Sequence, residues 1–294
     1  ILPAGHSATG AYWYDPSSGN WISSTYYSPT LPTWVTAFNE KKVVNEFFEK
    51  GWNTLYPIKT YVNSTPDEQV HEGKPFGSNA KGFPYDLKPF IGKNYGGISV
   101  TPFGNTMTLQ LAKDAIAAEA LGQRKITDML TVSLSSPDYI GHTFGPNSVE
   151  VEDAYLRLDK DLGDFLDYLD LKVGKGQYLL FLSADHGVAH VPGFLKDHKI
   201  PAGLFNTGKA SDNLNRLLEK EFGTKNLVIG FINHQVHLDH VLIDSLKLDK
   251  EKIIARTLSF LEKIPEVSRA FSLESISAAT LPQKLKDMAS NGFM

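Results

Sequence analysis

The sequence predicts an α/β protein with a mostly parallel sheet flanked by helices, a loop-rich aromatic cap and a small α+β insertion. Two short apolar segments, Met129 to Leu134 and Gln177 to Ser183, are typical of buried parallel strands. An amphipathic stretch lies between them, and the order strand, helix, strand predicts a right-handed βαβ unit. All four tryptophans lie in the first 104 residues, among many turn-forming residues, which sets that part apart.

Composition narrows the classes of function. The chain has 294 residues, a net charge of -4 and no basic stripe interleaved with aromatic residues, so nucleic acid is not an expected partner. It has no cysteine, so any transition metal must be held by His, Asp or Glu. We find neither an apolar run long enough to span a membrane nor a signal segment. Because the sequence begins at Ile1, we expect a processed or trimmed chain.

Residues 1 to 104 are predicted to form the cap. The turn signal Asp15-Pro16-Ser17-Ser18-Gly19 between two aromatic segments predicts a hairpin. A single helix is then predicted, ending at Gly51 and burying one face, formed by Trp34, Phe38, Val44, Phe47 and Phe48. The segment from Tyr56 to Gly104 carries few periodic signals and reads as loops.

Residues 105 to 206 are predicted to form the α/β core. Asn105 is a candidate N-cap for a helix that closes at Gly122, before the first apolar strand. Asn147 and Glu150 have the spacing of a capping box for the helix between the two strands. Its apolar stripe is predicted to face the core and contains Tyr155, Leu158, Leu162, Phe165, Leu166 and Leu169.

Residues 207 to 294 are predicted to form the small α+β insertion. A helix over 211–222 ending at Gly223, two strand-like segments, a helix over 250–264 and a final strand-like segment make up its pattern. One strand-like segment carries His234, His237 and His240. Because strand side chains alternate between faces, these histidines are not predicted to converge on one ion.

Two pairs of acid and histidine are the candidate metal ligands. Asp138 and His142 follow the first predicted strand, and Asp185 and His186 follow the second. In a parallel sheet, ligands collect beyond the carboxyl ends of the strands, so both pairs are expected at one edge. Two divalent ions held there would contact both the attacking and the leaving oxygen of a phosphoryl group. Four protein ligands fit one incomplete binuclear site better than two complete mononuclear sites.

The motifs SPDYIGHTFGPNS and LSADHG resemble the metal motifs of the alkaline phosphatase superfamily. The segments ILPAGHSATGAYWYD, GNWISSTYY and VAHVPGFLKDHKIPAG are similar to those of bacterial phosphate-irrepressible alkaline phosphatases, which use a threonine nucleophile. The resemblance covers most of the chain, as the middle part of the family sequence. It implies an alkaline phosphatase-like fold, with Asp138 and His142 as ligands of one zinc and Asp185 and His186 as ligands of the other.

The implied activity is hydrolysis of small phosphate monoesters through a covalent phosphothreonine, in the periplasm or another extracytoplasmic space. By the same resemblance, the nucleophilic Thr, a further metal-binding Asp and the phosphate-binding Asn, Lys and Arg are expected upstream of Ile1. The last zinc-binding His is expected near the family's C-terminus, and no matching Gly-His segment precedes Met294. No catalytic residue is therefore assigned within the chain.

Several alternatives remain open at this stage. Asp185-His186-Gly187 alone is also typical of a turn after a strand. His190 and His198 are interpreted as structural or supporting groups rather than ligands. For function, the alternatives are a phosphodiesterase, nucleotide pyrophosphatase, phosphonate hydrolase or sulfatase with the same metal core, and a catalytically incomplete fragment or binding module. Oligomeric state and natural substrate have no signal in the sequence.

Overall fold

The computed structural model describes residues 5–77 and 82–292. By the grouping of its contacts, the chain divides into two units, Ile1–Ile200 and Pro201–Met294. The predicted division at residues 104 and 206 stays a prediction. No helix among the described residues is long and apolar enough to cross a membrane.

The first unit begins with the predicted hairpin. Strands β1 (Trp13–Asp15) and β2 (Asn20–Ile22) pair antiparallel, with Trp13 opposite Ile22. The carboxylate of Asp15 accepts hydrogen bonds from Ser17 and Ser18 in the turn, which keeps the pKa of Asp15 low, at about 2. The local turn chemistry therefore forms the hairpin that the sequence predicts.

The single helix predicted before Gly51 is two helices, α1 (Thr33–Glu40) and α2 (Val43–Lys50). Lys42 breaks the helix because its backbone adopts the left-handed conformation, with φ of 48°. Gly51 ends α2 as predicted, at φ of 66°. The prediction of one continuous helix was therefore wrong, although its apolar residues still reach the core.

The core of this unit is aromatic and centres on Trp52, which is fully buried. The ring of Trp52 contacts those of Phe83, Tyr85 and Phe144 at centroid distances of 5.1, 5.5 and 6.2 Å. The surrounding chain is largely irregular, as predicted, with 3-10 turns at Ile58–Thr60, Lys88–Phe90 and Tyr95–Val100.

Two long helices follow, α3 (Phe103–Ala118) and α5 (Val149–Leu169), the latter ending in a π-helical turn. Both predicted N-caps were wrong. Asn105 lies inside α3, and α5 is capped by Ser148, whose hydroxyl accepts the amide of Val151 at 3.2 Å. Between these helices lies α4 (Ser136–Phe144), and α6 (Pro192–Asp197) closes the regular part of the unit.

The two predicted strands of the core have no regular secondary structure and no strand partner among the described residues. Among the described residues the hydrogen-bonded sheets are antiparallel hairpins, so no parallel sheet is seen. In the first segment Val132 and Leu134 pack against the cluster between α3 and α5, whereas Met129 is 79% exposed. In the second segment Phe181 is also 79% exposed. The expectation that helices bury both segments was therefore wrong for this chain.

The second unit contains an antiparallel hairpin and four helices among the described residues. Strands β3 (Val228–Ile232) and β4 (Gln235–Leu238) pair around a turn at Asn233 and His234. The helices are α7 (Thr207–Phe222), α8 (His240–Ser245), α9 (Lys250–Leu261) and α10 (Gln283–Gly292). Gly223 ends α7 in the left-handed conformation, as predicted. Leu214, Leu218, Ile243 and Ile253 form a separate buried core.

Candidate metal centre

The first pair of candidate ligands lies on α4. Asp138 and His142 are one helical turn apart, so their side chains share a face of the helix. The Nε2 atom of His142 lies 3.4 Å from Oδ1 of Asp138. Gly145 ends the helix with φ of 92°, and its amide donates to the carbonyl of Gly141 at 2.9 Å.

The opposite face of α4 fixes the helix in the core. Ile140 and Phe144 are buried, and the ring of Phe144 lies 5.8 Å from that of Tyr85. At the N-terminal end, Oδ1 of Asn105 accepts the amide of Ser136 at 3.2 Å. This bond satisfies a donor that the helix itself leaves unpaired. Helix α4 thus buries its apolar face and leaves its two candidate ligands exposed.

The second pair lies on an irregular, exposed segment. Nε2 of His186 is 3.7 Å from Oδ1 of Asp138 and 3.7 Å from Oδ2 of Asp185. The Nδ1 atom of His186 lies 2.8 Å from the carbonyl oxygen of Gly187, which can only accept, so Nδ1 carries a proton. The carbonyl of Gly187, followed by the carboxylates of Asp185 and Asp138, raises the pKa of His186.

The structure therefore brings all four predicted ligands together, although the two pairs are far apart in sequence. Two donor atoms that bind one zinc ion at about 2.1 Å in tetrahedral geometry lie about 3.4 Å apart. The nitrogen-oxygen distances within the two pairs, 3.4 Å for His142 and Asp138 and 3.7 Å for His186 and Asp185, are close to that separation. The side chain of Asp185 is 90% exposed, and among the described residues no group of three or more His, Asp or Glu is arranged so that it could hold a metal ion. The four residues thus offer the donor types and spacing of zinc ligands, but they form no metal site by themselves.

Comparison with known proteins identifies the family. The family model for type I phosphodiesterase / nucleotide pyrophosphatase matches residues 2–277. The chain belongs to this family. Its resemblance to the alkaline phosphatase superfamily, predicted from the motifs, is thereby confirmed.

Three relatives align with the whole chain. Alkaline phosphatase PhoV of Synechococcus elongatus is 49% identical, and a calcium-transporting ATPase of Myroides odoratus is 47% identical. Alkaline phosphatase PafA of Elizabethkingia meningoseptica is 45% identical. The chain covers 53%, 54% and 54% of these proteins, and so spans about half of their length.

A crystal structure of PafA matches the chain over its full length with a TM-score of 0.93, and the chain covers 56% of that structure. The chain therefore has an alkaline phosphatase-like α/β fold.

Sequence reasoning missed the contacts of two polar residues near the candidate ligands, Asn105 and Asn147, whereas it interpreted His190 as a structural or supporting group. Asn105 supports α4 rather than capping its own helix. Asn147 was predicted only as an N-cap, yet its side chain bonds His190 at 2.7 Å. The sequence offered one hint of this contact. Asn147 follows His142, and His190 follows His186, at nearly equal spacing.

Proposed function

We propose that the protein of which this chain forms part is a zinc-dependent phosphomonoesterase that releases inorganic phosphate. The observation that carries the proposal is the convergence of two acid and histidine pairs, with Asp138 placed within 3.7 Å of both His142 and His186. Imidazole nitrogen and carboxylate oxygen are the donors that zinc takes when no thiolate is present. Relatives at 45% and 49% identity that carry the name alkaline phosphatase support the same reaction.

In this proposal Asp138 and His142 hold one zinc ion, and Asp185 and His186 hold the other. When bound, the two ions polarise the phosphoryl oxygen, activate the nucleophile and stabilise the departing oxygen. The protonated Nδ1 of His186 leaves Nε2 as the nitrogen that can bind a metal. The rigid α4 sets the position of its two ligands, whereas the exposed segment at Asp185 leaves the centre open to substrate. We expect the Thr nucleophile in sequence preceding Ile1, as the family resemblance implies.

The two apolar segments are proposed to be parallel strands of a larger sheet in the whole protein. Val132 and Leu134 already pack on the helices, whereas Thr131 and Ser133 are exposed, as in a strand with one covered face. The chain spans about half the length of its relatives. Pairing with the other family segments would bury the face that is exposed in this chain.

The main alternative keeps the same metal centre and changes the substrate to a diester or a nucleotide pyrophosphate. The description of the matching family favours it, because that description names phosphodiesterase and nucleotide pyrophosphatase. We favour the monoester because PhoV and PafA align with the whole chain and carry phosphatase names. The expected partners are small phosphorylated molecules, and the expected location is extracytoplasmic, as the family resemblance implies.

The test combines metal analysis with a comparison of substrates. Bound zinc is measured by mass spectrometry for the chain and for Asp138→Ala and His186→Ala. Hydrolysis of an aryl phosphate monoester, the matching diester and ATP is then measured in the chain joined to the family segments it does not span. We expect each variant to lose zinc and to lower monoester turnover at least about 100-fold, as loss of a metal ligand in a two-metal site should.

His237→Ala is the matched control, because this histidine lies on β4 in the second unit. Normal turnover of a zinc-loaded Asp138→Ala variant would contradict the ligand assignment. Preferential cleavage of the diester would instead support the alternative substrate.

A further inference from the structure

The two ligand segments also meet at a second contact, away from the ligands themselves. Asn147 lies on the turn after α4, and His190 follows His186 on the exposed segment. The Nδ1 atom of His190 lies 2.7 Å from Oδ1 of Asn147. A carboxamide oxygen can only accept, so the imidazole nitrogen is the donor.

Each residue of this bond makes a further contact that restricts its position. The backbone carbonyl of Asn147 accepts the amide of Thr65 at 2.7 Å and its hydroxyl at 3.1 Å. The ring of His190 stacks on that of Phe194 in α6, at a centroid distance of 4.8 Å and an angle of 23°. Both groups therefore have a restricted position, which lowers the entropic cost of the bond between them.

This hydrogen bond is the main polar contact between residues 183–190 and the rest of the chain. Residues 183–190 have no regular secondary structure and are exposed. Their other hydrogen bonds described by the structure stay within the segment, at His186 to Asp185 and to Gly187. Among the described residues, the hydrogen bond of His190 is the one that joins this segment to another part of the chain, beside the 3.7 Å contact of His186 with Asp138.

Close packing of residues 71–73 adds to the contacts in this region. The amide of Gly73 donates to the carbonyl of Thr143, next to His142, at 2.7 Å. Two residues earlier, His71 packs so closely on Gly193 that a Cβ at Gly193 would lie 2.8 Å from the His71 side chain. One short stretch of chain therefore touches α4 and the start of α6, which follows the segment of Asp185 and His186.

We propose that Asn147 and His190 are positioning residues whose hydrogen bond sets the spacing between the two ligand pairs and thereby the metal affinity of the centre. The inference rests on the proposed function, because it concerns the same four ligands. Neither residue contacts a ligand or a reacting atom; each acts through the backbone that carries Asp138 and His142 or Asp185 and His186. Partners that orient metal ligands affect affinity by about 10- to 100-fold when they are removed.

The experiment measures zinc affinity by competition with a chromophoric chelator, and records the visible absorption of the Co²⁺ form as a probe of ligand geometry. The variants are Asn147→Ala, His190→Gln and the double variant of both. Asn147→Asp keeps an acceptor oxygen and is the conservative rescue. We expect each single substitution to weaken zinc binding about 10-fold or more and to alter the Co²⁺ spectrum. The double variant should be no worse than either single one, because the two residues share one bond.

His198→Ala is the matched control. His198 also contacts the ring of Phe194, at 4.1 Å, but its Nδ1 bonds the carbonyl of Phe194 within its own helix. Thermal unfolding of the metal-free variants checks that each one folds. Zinc affinity of Asn147→Ala within twofold of the unsubstituted chain would overturn the inference, as would an equal loss in His198→Ala.

The ligand variants distinguish failure of the positioning role from failure of the proposed metal centre. If Asp138→Ala loses zinc while Asn147→Ala retains it, the positioning role fails and the proposed metal centre stands. If neither affects zinc binding, the proposed centre fails and the positioning role falls with it.

Discussion

Glu72 carries buried negative charge that opposes folding at neutral pH. Its Oε2 accepts the amide of Gln69 at 2.7 Å, whereas its Oε1 is buried without a hydrogen-bond partner among the described residues. Burial, and then the neighbouring carboxylates of Glu150 and Asp67, raise the pKa of Glu72 from 4.5 to about 7. Glu150 is itself fully buried, accepts the hydroxyl of Tyr85 at 2.5 Å, and also has a raised pKa because of burial.

This pKa predicts how stability depends on pH. Between about pH 4.5 and 7 the folded chain binds more protons at Glu72 than the unfolded chain, so the free energy of unfolding falls as pH rises through that window. Glu72→Gln should remove this decrease and stabilise the protein above pH 7. We expect a gain on the order of 1 kcal/mol, because solvent screens a half-buried carboxyl. Urea unfolding of both proteins at pH 5 and pH 8 measures it.

Glu68→Gln is the control for this substitution, since Glu68 is an exposed neighbour of the same charge. Its effect should be small at both pH values. A Glu72→Gln variant that loses stability at pH 8 would show that the carboxylate is compensated in the folded protein.

At the scale of elements, α4 depends on a neighbouring helix for its first turn. Asn105 of α3 accepts the amide of Ser136, and Gly104 approaches so closely that a Cβ there would lie 2.4 Å from the Ser136 hydroxyl. Two residues of α3, Asn105 and Gly104, therefore restrict the position of Ser136 at the start of α4. The helix that carries Asp138 and His142 is positioned by tertiary contacts as well as by its own sequence.

Replacing Asn105 with alanine should leave the buried amide of Ser136 without its acceptor. We expect Asn105→Ala to lower the free energy of unfolding by about 1–3 kcal/mol, which is the cost of an unsatisfied buried donor. Gln110→Ala, elsewhere on α3, is the control. Chemical denaturation of the two variants measures the difference. Equal stabilities would mean that water replaces the lost acceptor.

The distance in sequence between contacting residues explains which parts of the fold could be predicted. The β1–β2 turn and the end of α7 were predicted because Asp15 and Gly223 act on their immediate neighbours. The role of Asn105 was missed because its partner is 31 residues away. The candidate ligands could be predicted from their motifs, whereas the bond between Asn147 and His190 depends on how two separate segments meet.

At the scale of the molecule, two apolar segments have no strand partner among the described residues. The segments 129–134 and 177–183 have no regular secondary structure, and Leu179 is 91% exposed and Phe181 79% exposed. Exposed apolar residues in such a run are typical of a surface that another element covers. The sequence predicted buried strands because the apolar composition of these segments is typical of such strands. Composition does not show whether the strands that would pair with them lie in the same stretch of chain.

Hydrogen exchange should test this view directly. In the chain of 294 residues, amides of 177–183 should exchange with opening free energies of about 0 kcal/mol, because they have no strand partner, whereas those of α5 should be protected. In a polypeptide that also contains the family segments not spanned here, the same amides should become as slow as those of α5. Strong protection in the shorter chain, or none in the longer one, would contradict the proposal that these segments are strands of a shared parallel sheet.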